Sequence, residues 1–151
     1  MLTFVIPCLF GLEGLVGEEV RRLGLGDVAV DNGQVSCRGT EADIPRLNIS
    51  LRCGERVLLL MGEFPAWSFE ALFQGVRAIP WEDYVPRDGQ FPVKGHALDS
   101  QLHSVPDCQR IVNKAAAERL GRAYGLERLP ETGAKYQIQF AIRKDQCAVY
   151  L

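Results

Sequence analysis

The chain has 151 residues, 47% hydrophobic and 24% charged, the make-up of one ordinary globular domain or two small ones. No apolar run reaches the length of a membrane span, and the opening MLTFVIPCLF lacks the basic leader of a signal region. A net charge of −2 offers no global pull on a polyanion, and five scattered cysteines without a CxxC pair fit small core residues in a reducing cytoplasm.

Residues 2–6 are apolar with β-branched content and read as a strand, which Pro7 ends because proline has no N–H for the ladder. Leu12, Leu15, Val16, Glu19, Val20 and Leu23 recur at helical spacing, with Glu18, Arg21 and Arg22 outward. Strands at 27–30 and 34–37 flank Asn32-Gly33, which predicts a type I′ hairpin turn. Thr40 is placed to cap a short helix carrying Ile44, Leu47 and Ile49, with Pro45 in its first turns. Residues 56–62, RVLLLMG, form a continuous apolar run, as in a fully buried central strand. The resulting β-α-β-β-α-β order is ferredoxin-like, a pattern that hosts many unrelated functions.

Phe64-Pro65 then reads as a hinge. Trp67, Phe69, Leu72, Phe73, Val76 and Ile79 make an amphipathic helix whose aromatic face is assigned to the core. Residues 81–90, WEDYVPRDGQ, read as an acidic, turn-rich linker. Phe91, Val93, Gly95 and Ala97 alternate with Lys94 and His96, a strand with one buried face. A loop at 99–103 runs into Ser104, an N-cap with Asp107 three residues on, and Pro106 in the first turn costs no helical hydrogen bond. On the helix that follows, Cys108, Ile111, Val112, Ala115 and Ala116 gather on one side and Arg110, Asn113 and Lys114 on the other. Arg119 falls in the apolar arc, placed to snorkel or to satisfy the last carbonyls. Residues 136–142 alternate as a strand, 143–146 are a polar turn, and 147–151 begin another strand. The chain stops inside that element, so a longer parent chain is expected.

Charge is spread unevenly along the sequence. Residues 1–88 hold 13 carboxylates against 8 arginines, whereas 89–151 hold 6 carboxylates against 9 lysines and arginines. A polyanion feels the field within a Debye length of about 8 Å, so the basic part suits one despite the acidic total. No GxGxxG follows a strand, no Walker sequence is present, and His96, His103 and Cys108 lack a fourth ligand at sensible spacing. Neither a catalytic set nor a metal site is therefore expected in 1–151. What remains is Lys94, His96, Ser100, His103, Ser104, Arg110 and Lys114. These residues put cations, imidazoles, hydroxyls and free helix N–H groups at one strand–loop–helix junction. The set suits a phosphate or carboxylate, or equally a capped helix with a solvated polar face. Arg110 and Lys114 stand four apart, like charges whose mild repulsion an anion relieves.

Trp81, Phe91-Pro92-Val93, the run LHSVPDCQ at 102–109, Ile111-Val112 and Lys114-Ala115 together resemble the THUMP domain of bacterial class I RNA methyltransferases. Phe10-Gly11-Leu12-Glu13, Leu51-Arg52-Cys53 and Arg56-Val57 resemble the ferredoxin-like domain that precedes it in the same proteins. The resemblance is nearest to the large-subunit rRNA guanine-N-methyltransferases. It implies an α+β chain, with a ferredoxin-like βαββαβ domain at 1–64 and a THUMP-like α/β domain at 65–151, or a boundary as early as 43. It also implies RNA, specifically large-subunit rRNA, as partner. S-adenosylmethionine would serve a catalytic transferase domain beyond residue 151, with no cofactor, metal or membrane contact in the fragment itself. Lys94, His96, Arg110, Lys114, Arg143 and Lys144 are then expected on phosphates, with Ser100, His103 and Ser104 near an RNA end or bend. Asn113 departs from the pattern, since such members often carry a basic residue there. The competing expectation is a ferredoxin-like regulatory or protein-interaction domain, with its partner on the exposed sheet or the aromatic helix.

Overall fold

The structure is a computed structural model describing residues 1–151. The chain divides into two compact units, Met1–Leu60 and Met61–Leu151.

In the first unit, β1 (Leu2–Pro7), α1 (Glu13–Arg22), β2 (Gly26–Asp31), β3 (Gln34–Gly39) and α2 (Asp43–Ser50) lead into β4 (Leu58–Pro65). The strands run β2-β3-β1-β4, all antiparallel, which is the ferredoxin-like arrangement. The core follows from the pleat: Phe4 and Ile6 pair with Cys37 and Val35 across β1 and β3, and all four are buried with Val16, Val20 and Leu47. Leu15 and Ile49, both expected inward, are exposed, because Val16, Val20 and Leu47 already fill the narrow faces of their short helices.

Local chemistry corrects two expectations here. Thr40 does not cap α2; instead the Asp43 carboxylate accepts the Thr40 N–H at 2.8 Å and its hydroxyl at 3.1 Å. The Asn32-Gly33 turn is not type I′, since Gly33 has φ 75° but Asn32 is not left-handed. The Glu13 carboxylate fastens this turn to the α1 approach by accepting the N–H groups of Gly33 at 3.0 Å and Gly11 at 2.8 Å. Hydrogen bonds from its own N–H, Gly33 and Gly11 hold the Glu13 carboxyl below its usual range. A carboxyl depressed by folding stabilises above its unfolded pKa, and that contribution is lost as pH falls through the folded value. Urea midpoints measured from about pH 6 to about pH 3 should therefore fall less steeply in Glu13→Gln than in the unaltered chain.

In the second unit, the distal part of β4 is followed by α3 (Phe69–Arg77), a 3₁₀ turn at Trp81–Asp83, β5 (Val93–Leu98), α4 (Val105–Tyr124), β6 (Ile138–Arg143) and β7 (Gln146–Tyr150). The strands run β4-β7-β6-β5, with β5 parallel to β6 and β6–β7 an antiparallel hairpin. Ile138, Phe140, Ile142, Cys147 and Val149 bury one sheet face against Leu72 and Val76 of α3 and Cys108, Val112, Ala115, Ala116 and Leu120 of α4.

Four expectations change along β4 and in this unit. The run at 56–62 is not fully buried: β4 starts at Leu58, and only Leu58 and Leu59 are shielded. The strand also continues through Phe64-Pro65, where a hinge was expected. The expected linker at 81–90 is anchored in the core through Trp81 and Val85, with Trp81 the largest fully buried side chain, its Nε1–H donating to the Val76 carbonyl at 3.0 Å. The aromatic face of α3 is only partly core: Leu72 and Val76 are buried, but Trp67 is 55% and Phe69 42% exposed.

Four of the five thiols, Cys8, Cys37, Cys108 and Cys147, are buried, and Cys53 is half-buried. Burial pushes the Cys37 thiol up to about 11 and the Cys147 thiol up to about 12. Alkylation by iodoacetamide under native conditions, read by mass, should therefore label Cys53 first and leave those two unmodified.

Candidate nucleic-acid interface

Gly95 and Ala97 of β5 lie on the covered side of the sheet, so period-two alternation turns Lys94 and His96 to the other side. The parallel register places Lys94 beside Gln139, His96 beside Ala141 and Leu98 beside Arg143. Lys94, His96 and Arg143 thus share the sheet face away from α3 and α4. Arg110 and Lys114 stand on the exposed side of α4. The structure therefore does not gather the sequence-derived set at one junction; the sheet separates Lys94 and His96 from Arg110 and Lys114.

A second group is brought together at the rim where β5 ends and β6 turns into β7. The two-residue turn there is the type I′ one, with Lys144 at φ 50° and Asp145 at φ 60°. Non-glycine residues occupy this region at a cost, and a network holds them. The Ser100 hydroxyl donates to the Leu98 carbonyl at 2.8 Å and accepts the Asp145 N–H at 3.0 Å. Asp145 Oδ1 accepts the Gln101 N–H at 2.8 Å, and its carbonyl accepts the Ala66 N–H at 2.8 Å. His103 is exposed, with Nδ1 3.0 Å from the Gln101 carbonyl oxygen. Ser100, His103, Arg143 and Lys144 consequently share one rim, with the Ser100 hydroxyl engaged in holding it. Ser100→Ala should cost about 1 kcal/mol in chemical denaturation and raise amide exchange at Gln101 and Asp145.

Ser104 precedes α4 with Pro106 in the first turn, but its hydroxyl does not cap the helix. It hydrogen-bonds the Asp107 carboxylate, which together with Arg110 holds that carboxyl below its usual range. Arg110 is thus partly neutralised by Asp107. Arg119 reaches across from its own helix: its guanidinium binds the Glu82 carboxylate at 2.6 Å and donates to the Arg77 carbonyl at the end of α3 at 3.5 Å, and Arg77 likewise binds Glu118 at 2.9 Å. Lys114 borders a small cleft with Phe69, Glu70, Phe73 and Ile111, where two rings of the aromatic face expected in the core, Phe69 and Phe73, line a surface feature instead. The signal for them was their i, i+4 spacing on α3.

The second unit holds 11 carboxylates and 11 lysines and arginines, so any pull on an anion comes from placement and not from excess. No group of three or more His, Cys, Asp or Glu residues is arranged to hold a metal ion, and no helix is long and apolar enough to cross a membrane.

Residues 3–58 match the family described as the RlmL ferredoxin-like domain, and residues 66–151 match the THUMP domain family. The chain is 40% identical over 151 residues to the RNA methyltransferase YpsC of Bacillus subtilis (strain 168), covering 99% of this chain and 39% of that protein. It is 28% identical over 128 residues to the ribosomal RNA large subunit methyltransferase K/L of Pseudomonas aeruginosa, covering 82% of this chain and 18% of that one. Among solved structures, the SMU.472 methyltransferase complexed with SAH matches with TM-score 0.95 and 40% identity, over 99% of this chain and 40% of that chain. The chain thus spans well under half the length of these relatives.

Proposed function

The chain belongs to the THUMP domain family, with an RlmL-type ferredoxin-like domain ahead of it, and from that premise we propose that it docks large-subunit rRNA for the methyltransferase domain of a longer cytoplasmic protein. The observation that carries this reading is the THUMP match over 66–151, because that domain binds RNA and the relatives are RNA methyltransferases. The methyl donor is S-adenosylmethionine, which supplies an electrophilic methyl group. Gly17, in the glycine-bearing stretch at 11–17, is a packing residue whose Cβ would lie 2.9 Å from a Val30 methyl, so that stretch does not serve as a cofactor loop. On this reading the donor belongs to the methyltransferase domain of the longer protein, as the SAH-bound relative suggests.

Phosphates run from the rim, on Arg143, Lys144 and His103, past Ser104 onto Arg110 and Lys114, while Ser100 shapes the loop beneath. Lys94 and His96 serve RNA crossing the open sheet face. Affinity is modest and steeply salt-dependent, since each phosphate contact contributes about 0.7–0.9 to the log–log salt slope. Binding of an rRNA hairpin, titrated at several salt concentrations, tests this. Arg110→Ala with Lys114→Ala, and Arg143→Ala with Lys144→Ala, should each weaken binding and lower the slope by roughly 1.4–1.8. If both double variants leave affinity and slope unaltered, the reading fails.

A further inference from the structure

Between α3 and α4 lies a cleft of about 200 Å³ lined by Phe69, Glu70, Phe73, Ile111 and Lys114. Resting on the reading of this module as RNA-binding, we propose that the cleft receives one unpaired RNA nucleotide. The base lies against Phe69 and Phe73, and the adjoining phosphate sits on Lys114.

Several features select this occupant. Phe69 leaves 42% of its surface exposed on a helix that fully buries Leu72 and Val76, so its ring is available where theirs are spent on the core. The Phe73 ring is held in place from one side by the Arg77 guanidinium, 5.6 Å from its centroid, and needs little reordering to accept a base. One turn further along both helices, the Arg77–Glu118 ion pair at 2.9 Å bridges α3 to α4 and ends the apolar stretch. That limit suits a single base and not a stacked run. The charges fix the orientation. Glu70, whose Oε1 already accepts the Gln74 side-chain amide at 2.8 Å, repels phosphate and faces the amino edge of the base, leaving Lys114 for the backbone. A paired base keeps its faces stacked within the helix, so only an unpaired one offers its π-surface to the rings. Paired RNA would still use the rim cations.

The test uses the full chain with two RNA hairpins of the same stem, one fully paired and one carrying a single 2-aminopurine bulge. The unaltered chain should bind the bulged hairpin about fivefold or more tightly than the paired one, the low end of what one base–aromatic stack is worth, and should quench the probe. Phe69→Ala, an exposed change whose folding is checked by thermal melting, should abolish the preference and the quenching while leaving paired-hairpin affinity unchanged. Phe69→Tyr should keep both. Equal affinity of the unaltered chain for the two hairpins, or a preference that survives Phe69→Ala, overturns the proposal. Absence of binding to either hairpin overturns the RNA reading itself, and this proposal with it.

Discussion

Trp81→Ala is expected to destabilise the second unit by about 3–5 kcal/mol, measured as a lowered guanidinium midpoint. Trp81 is wholly shielded from solvent and is the bulkiest such side chain in the molecule. Truncation removes its apolar transfer energy, leaves a cavity and strips the Val76 carbonyl of the indole N–H at 3.0 Å. Relaxation into the space is restricted, because the following segment is tied from outside. The Tyr124 hydroxyl donates to the Val85 carbonyl at 2.6 Å, and Arg119 holds Glu82 at 2.6 Å. Against a whole-domain stability of about 5–15 kcal/mol, such a loss is severe. Trp81→Phe keeps most of the apolar volume and loses the hydrogen bond, so its cost should fall well below that of alanine. A cost under about 1 kcal/mol for Trp81→Ala would mean that the segment is peripheral after all.

That segment shows why parts of the fold were legible in the sequence and others were not. The first unit announces itself because its elements carry local signals: β1 is an apolar run with β-branched content ended by proline, and Val16 and Val20 recur at helical spacing on α1. Trp81-Glu82-Asp83 resembles a linker because two of its three side chains are acidic, but the carboxylate of Glu82 is matched by Arg119, 37 residues later. No local pattern displays such a pair. The turns fail in the same way. Asn32-Gly33 has the favoured composition for type I′, yet that geometry goes to Lys144-Asp145, where contacts with Leu98, Ser100 and Gln101 impose it. The RNA-binding expectation rests on a resemblance carried by Trp81, Phe91-Pro92-Val93, the run at 102–109, Ile111-Val112 and Lys114-Ala115, all within the stretch 66–151 that matches the THUMP family. The separation of Lys94 and His96 from Arg110 and Lys114 was implicit in the sequence. The period-two strand put the two residues opposite its buried side, and the helix carrying the other two had to cover that buried side.

Gly95→Ala should cost about 3 kcal/mol, the upper range for overpacking, and should detach β5. A Cβ at this position would lie 2.3 Å from the Phe140 carbonyl oxygen and 2.6 Å from two carbons of its ring. The parallel register pairs Gly95 with Phe140 directly, and Phe140 is fully buried, so neither backbone nor ring has room to withdraw. Because β5 stands at the end of the strand order with β6 as its strand partner, the cheaper relief is to peel it away. Amide exchange should then lose protection from Val93 to Leu98, while Phe4 and Val5 of β1 in the first unit keep theirs. Peeling would also carry Lys94 and His96 off the sheet face. Gly62→Ala is the internal control: its Cβ would meet only the Ile79 side chain at 3.3 Å, which flexes by a few tenths of an ångström. If Gly95→Ala and Gly62→Ala gave the same urea midpoint and the same exchange pattern, close approach of β5 to Phe140 would not be what fixes this strand. Lys94 and His96 would then owe their placement to the loop network at Ser100 and Asp145 instead.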